Sequence, residues 1–163
     1  MNRTFIVSCC VILLVVGCST VPDTNAKRAT QSEPAIIAAN KQLARRWFDD
    51  VINRRNLDAI ANTYAADYVH HGAEGVDIRG LEATRAFAAS ILAASKDRKA
   101  IVEQQVAEDD LVVTRFTSSG HHTGVFRGVE PTGRLWNTEG ICISRIENGK
   151  IAEDWEIVHQ SGL

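Results

Sequence analysis

From Ala35 to Asn53 the apolar positions fall at Ile36, Ile37, Ala39, Leu43, Ala44, Trp47, Phe48, Val51 and Ile52. That spacing predicts an amphipathic helix with a broad apolar stripe. Lys41, Arg45, Asp49 and Arg54 lie largely off the stripe. Pro34 stands where a helix accepts proline, in its first turn. Asn56 predicts the cap of a second, short helix carrying Leu57, Ile60, Ala61 and Tyr64 on one face. Asp67 to His71 reads as a short extended piece, and Gly72, Gly75 and Gly80 mark a loop. Leu81 to Ser95 predicts a third helix, with Leu81, Ala83, Ala86, Phe87, Ile91 and Leu92 as its apolar set.

Beyond Ser95 the period shortens from about 3.6 to about 2, the spacing of a strand. Lys99 to Glu108 predicts one strand, and Asp109-Asp110 a turn. Leu111 to Thr123 predicts a long strand, bent or bulged at Gly120. Pro131 to Gly133 is a loop, and Arg134 to Glu147 a further long strand. Asn148-Gly149 is a strong hairpin signal, because both residue types tolerate positive φ. Lys150 to Gln160 is the last strand. Three helices followed by four or five antiparallel strands predict an α+β fold, with the helices covering one face of a curved sheet.

The chain ahead of Pro34 carries a different pattern. Met1-Asn-Arg gives a positive start, and Phe5 to Val16 is almost uninterrupted apolar sequence. About a dozen residues are too few to span a bilayer core of roughly 30 Å, but they suit the apolar region of a secretory leader. Val15-Val16-Gly17-Cys18-Ser19 resembles the lipobox of bacterial lipoproteins. The resemblance implies cleavage before Cys18, lipidation of that residue, and an address at the cell envelope, on the periplasmic face of the outer membrane. Residues 1–17 are then the leader, the polar stretch 18–33 a lipidated tether, and 34–163 the domain. Of the four cysteines, Cys9 and Cys10 leave with the leader and Cys18 is acylated. Cys142 alone remains, expected as a small buried apolar residue, so the mature domain has no internal disulfide.

Composition narrows the function classes. At 45% hydrophobic and 23% charged the chain is globular rather than disordered. A formal net charge of -2 argues against a nucleic-acid surface, which needs a clustered basic excess. Ser118, Ser119 and Ser144 lack the setting of a nucleophile elbow. His70-His71 and His121-His122 are adjacent pairs. Neighbouring strand residues face opposite sides, so neither pair can chelate a metal from one face, and no metal site is expected.

Gly120-His-His-Thr-Gly-Val-Phe-Arg-Gly-Val-Glu-Pro-Thr-Gly-Arg134 resembles the GxHxGxFxGxxPTGR segment of SnoaL-like polyketide cyclases, also called ester cyclases. Arg145, followed by Ile146-Glu-Asn-Gly-Lys-Ile-Ala-Glu-Asp-Trp155, resembles their R-I-x-x-G-K-I-x-E-x-W segment. The opening helix with Trp47-Phe48 and the stretch Tyr68-Val-His-His71 fit as well, so the likeness covers nearly all of 35–163. It implies the cone-shaped α+β barrel shared with nuclear transport factor 2 and ketosteroid isomerase. In that fold three N-terminal helices pack on a curved, mostly antiparallel sheet that wraps a deep apolar cavity. It also implies a homodimer formed through the outer sheet face.

The last strand then acquires a chemical reading. Residues two apart share a face, so Asp154 and Glu156 point one way with Ala152 and Val158. Glu153, Trp155, Ile157 and His159 point the other way. In the resembled family a His and an Asp two residues apart flank the tryptophan position and face the cavity, with the Asp as acid/base. Carried over, the histidine place falls on Asp154 and the acid place on Glu156. Two buried carboxyls would repel, keeping one protonated near neutral pH, which is competent general acid/base machinery. An intramolecular aldol closure needs such a proton carrier, positioning and a dry cavity, but no cofactor. His71, His122, Trp136 and Asn137 are the expected wall groups. Glu153 is expected to be structural, pairing with Arg134 or Arg145. The expected partner is a small hydrophobic ligand or carbonyl-rich substrate.

Overall fold

The computed structural model describes residues 32–72 and 75–162. The predicted leader and Cys18 lie outside the described residues. Helix α1 spans Glu33–Arg46, with Pro34 in its first turn as expected, and runs directly into a π-helical segment, Trp47–Asn53. Wider i→i+5 turns are rare and are frequent at functional sites. Here they keep Phe48, Val51 and Ile52 buried. Arg45–Asp49 and Arg46–Asp50 ion pairs bridge the junction on the wet face. Helix α2 is a short Ala59–Thr63. Asn56 lies ahead of it and accepts a bond from the Asp58 amide through its side chain, a turn rather than a cap. Tyr64, expected on this helix, instead opens strand β1, Tyr64–His71. The loop marked by glycines contains a three-residue strand, β2 (Asp77–Arg79), which the sequence pattern did not reveal. Helix α3, Gly80–Ala94, buries Thr84, Ala88 and Leu92, one residue per turn along a single face.

Four long strands follow: β3 (Lys99–Glu108), β4 (Leu111–His121), β5 (Leu135–Glu147) and β6 (Lys150–Ser161). The hairpin between β5 and β6 turns at Asn148 and Gly149, both at positive φ. The sheet has six strands in the order β2-β1-β6-β5-β4-β3. It is antiparallel except for β1 against β6, which is parallel, and so mixed rather than purely antiparallel.

The predicted irregularity at Gly120 is not a register shift: β4 pairs with β5 without interruption from Leu111 to His121. Gly120 is needed for close approach. A Cβ there would lie 2.8 Å from Cα of Arg98. Register slips lie in β3, between Val102 and Gln104, in β1 between Tyr64 and Val69, and in β6, where Ile151 opposes Ile146 and Glu153 opposes Arg145. Ala152 is therefore an extra residue, a bulge. The expectation that Ala152 shares the face of Asp154 is corrected: Ala152 lines the outer side with Glu153, while Ile151 and Asp154 are both buried.

The helices pack on the inner face of the sheet. Ala44, Val51, Ile60, Ala88, Val112 and Ile151 form the main cluster. Phe48, Leu92, Phe116 and buried Cys142 form a second one beside it.

Candidate active site

Two adjoining chambers lie between the helices and the inner sheet face. The inner one, about 30 Å³, is walled by Trp47, Phe48, Tyr64, Tyr68, Phe87 and Phe116, and its polar floor is Ser144, Asp154 and Glu156. The outer one, about 90 Å³, adds Ile91, Arg98, Phe126, Trp136, Thr138 and Gln160. His70 and Glu156 line both. The π-helical turns place Trp47 and Phe48 in the wall of both chambers.

From Asp154 onward β6 alternates as expected. Asp154, Glu156, Val158 and Gln160 reach the chambers, and Trp155 and Ile157 face outward, 38% and 78% exposed. Asp154 is only 5% exposed. One of its oxygens accepts a 2.8 Å bond from the Tyr68 hydroxyl, and the other is buried without a hydrogen-bond partner. Burial pushes its pKa up to about 6, with Ser144, Tyr68 and Cys142 tempering the rise. Glu156 is pushed up to about 7, first by burial and then by the charge of Asp154, against the pull of Arg98 and Arg127. Desolvation and like charge therefore act together, as proton-transfer sites require.

The imidazole of this site is not the one expected. His71 lies on the outer face, held by Glu153 at 2.9 Å and Asp77 at 3.0 Å and stacked on Trp155. His70 points inward, with Nε2 3.5 Å from Glu156. In the sheet His70 sits opposite Asp154 on the neighbouring parallel strand. The histidine that the family resemblance puts two residues before the acid is thus absent from β6, and one stands beside the acid from β1 instead. Burial and the nearby His71 lower the pKa of His70 to about 4, so it is neutral near pH 7. Strand parity could have found it: Tyr68 and His70 share a face, and an apolar tyrosine body marks that face as inward.

The other expected wall groups divide. Trp136 is fully buried and lines the outer chamber. Asn137, one residue on, faces the outer side of the sheet beside Lys99, Ile101 and Glu139. His122 is fully buried but lines neither chamber. Its Nδ1 accepts from the Thr132 amide at 3.3 Å, and its backbone bonds Arg134 and Gly133, so it clamps the loop that returns to β5. Glu153 pairs with Arg145 at 3.2 Å, one of the two partners expected. Polar lining groups not singled out in the sequence include Tyr68, Thr138, Gln160 and Arg98, the last inside the charged run Lys96-Asp-Arg-Lys99. Among the described residues no set of three or more His, Cys, Asp or Glu side chains is arranged to hold a metal ion.

The model of the SnoaL-like polyketide cyclase family matches residues 42–163. The chain belongs to that family. A protein from Jannaschia sp. CCS1 described as a SnoaL-like polyketide cyclase superposes with a TM-score of 0.70 at 21% identity, covering 78% of this chain and 90% of its own. At that identity it speaks for the fold, an α+β assembly of the nuclear transport factor 2-like kind. IdmH from Streptomyces antibioticus, proposed as a polyketide cyclase, gives 0.62 at 29% identity over 73% of this chain and 91% of its own. AclR from Streptomyces galilaeus, proposed as a hydroxylase, gives 0.66 at 28% over 76% of each chain. Among curated proteins no sequence matches the chain. These SnoaL-like relatives share the frame in which Asp154 and Glu156 sit, while the names attached to them span more than one reaction.

Proposed function

We propose that the protein is a cofactor-independent acid/base enzyme of the cyclase or isomerase type, acting on an apolar, carbonyl-rich small molecule. One observation carries this reading: two carboxyls on the floor of an aromatic-walled chamber, both with raised proton affinity. A pKa near the working pH lets Glu156 exist as base and as acid in comparable amounts. As carboxylate it takes the proton from a carbon lying between two carbonyls. The electron pair left behind adds to the carbon of a further carbonyl elsewhere in the same molecule, closing a ring, and the resulting alkoxide takes up a proton from the acid pair. No atom is gained or lost, so the net change is an isomerisation. Neutral His70 orients Glu156, and Tyr68 fixes one oxygen of Asp154.

The leader pattern around Cys18 supports an envelope address through a lipid anchor, and the apolar outer sheet face (Ile101, Ile141, Ile157) supports a homodimer. The envelope address also favours a second reading, in which the chambers hold a hydrophobic ligand without converting it. Compounds extracted from the native protein and returned to it decide between the two. Conversion by wild type, lost in Glu156→Gln while the compound still binds, supports the enzyme. Binding without conversion, indifferent to Glu156, overturns it in favour of the carrier.

A further inference from the structure

Arg98 lines the outer chamber, and its contacts leave one guanidinium nitrogen open. It sits just ahead of β3 at 6% exposure, where glycine at position 120 lets its backbone come close. Nη2 donates to the Thr138 hydroxyl at 2.8 Å, and the guanidinium carbon lies 4.1 Å from the centre of the Trp136 ring. Nη1 is buried with no hydrogen-bond partner, in the wall of the outer chamber. A buried cation left partly unpaired is costly, and the indole face and one neutral hydroxyl offset only part of that cost. Glu156 acts on it by charge from across the chamber, with no hydrogen bond between the two. Ile91, Phe116, Phe126 and Trp136 supply the apolar walls, and Ser118, Arg127 and Gln160 add polar groups to the lining.

We infer that the outer chamber is a receptor for the carboxylate end of a small apolar acid, with Nη1 of Arg98 donating to the carboxylate. The geometry selects this class in three ways. The open donor is a single guanidinium edge, which suits one carboxylate oxygen. Glu156 across the chamber disfavours a more highly charged group such as a phosphate. The aromatic walls take a flat or alicyclic body. A ligand held by its acid end at Arg98 directs its remaining carbons toward His70 and Glu156, which line both chambers. The inference deepens the acid/base reading by naming one end of the substrate, and rests on it only for the orientation of the other end.

Benzoate and its neutral isostere benzamide test it, titrated into the full chain by calorimetry and followed by ¹⁵N resonances of arginine side chains. Wild type should bind benzoate at least about tenfold more tightly than benzamide, the worth of one hydrogen bond to a charged group. One arginine side-chain resonance, missing from Arg98→Met, should move with benzoate and stay with benzamide. Arg98→Met should bring the two affinities to parity by weakening benzoate alone. Equal binding of both probes by wild type, binding of neither, or a preference that survives in Arg98→Met overturns the assignment. The wild-type comparison needs no variant and so stands even if Arg98→Met folds poorly. Neither probe needs to be converted, so a failed turnover assay with Glu156→Gln leaves this result intact, and the reverse holds too.

Discussion

Glu153 and Glu156 are three residues apart on one strand and hold their protons in opposite ways. Glu153, on the outer face, lies between His71 and Arg145, whose hydrogen bonds pull its pKa below the usual carboxylate value. Glu156, on the inner face, is pushed up to about 7 by burial and by Asp154. The histidines whose side chains reach them divide in the same sense. His71 is raised by its bond to Glu153, and His70 is lowered to about 4 by burial. Residue type is shared across the two faces, so solvent and neighbours set the chemistry. The outer set is a charge network of ordinary surface kind, whereas the inner set is poised to exchange protons near neutrality.

The contrast can be broken most sharply through turnover. Glu156→Gln should cost about 10²- to 10⁴-fold in rate on the converted compound, the usual worth of general acid/base catalysis, and Glu153→Gln should leave the rate unchanged. Steady-state kinetics on both variants checks this, and equal losses would erase the distinction between the faces.

Stability against pH comes next. The inner carboxyls have folded pKa values of about 6 and about 7, above their unfolded values. Their stabilising contribution is complete below about pH 4 and is lost as pH rises through 6 and 7. His70, with its depressed value, works the other way: its contribution is present above about 6.5 and is lost as pH falls toward 4. The carboxyl part is isolated by comparing wild type with the double variant Asp154→Asn, Glu156→Gln in urea melts from pH 5 to 8. Wild type should lose on the order of 3 kcal/mol relative to the variant across that range. A parallel pair of curves would mean that the inner carboxyls ionise as freely as exposed ones.

Packing should separate the faces by a smaller amount. A Cβ on Gly140 would lie 2.8 Å from both Phe116 and Val158, so Gly140→Ala should cost about 1–3 kcal/mol by thermal melting. Its neighbour Ile141, 46% exposed, should cost about 0.5 kcal/mol or less on truncation to alanine, provided no second chain covers it. The outer network should also matter little. His71→Ala should change stability by less than about 1 kcal/mol, as exposed ion pairs do. NMR titration of the imidazole protons sharpens this point, with His71 titrating above, and His70 well below, a free histidine.

Much of this molecule can be read from its pattern of apolar residues. The boundaries of β3, α3 and the β5–β6 hairpin follow from period and turn chemistry. The inward set Asp154, Glu156 and Val158 follows from alternation. Alternation failed where the chain slips. The step of two runs back from Asp154 to Ala152, yet Ile151 is the buried residue, because a bulge leaves no mark in residue type. His70 and His71 are chemically identical in the sequence; parity with Tyr68 favours His70, and its pairing against Asp154 places it beside the acids. Asn137 is excluded by alternation itself, since its neighbour Trp136 faces inward. Arg98 hid in a run of charges that normally stays wet, and what drew it in was a close approach to Gly120, more than twenty positions later. Strand β2 is too short to carry a period at all.

The slip at Ala152 also says what kind of genetic change this ribbon tolerates least. Its lower half clamps Ile151 into the core and its upper half presents the acids, and the extra residue keeps those two halves in phase. Point substitutions there alter one side chain at a time. A further one-residue insertion beyond the bulge would rotate the whole upper half by half a turn, bringing the indole inside and putting the acids in water. Reading length, more than residue identity, is what this segment has to protect.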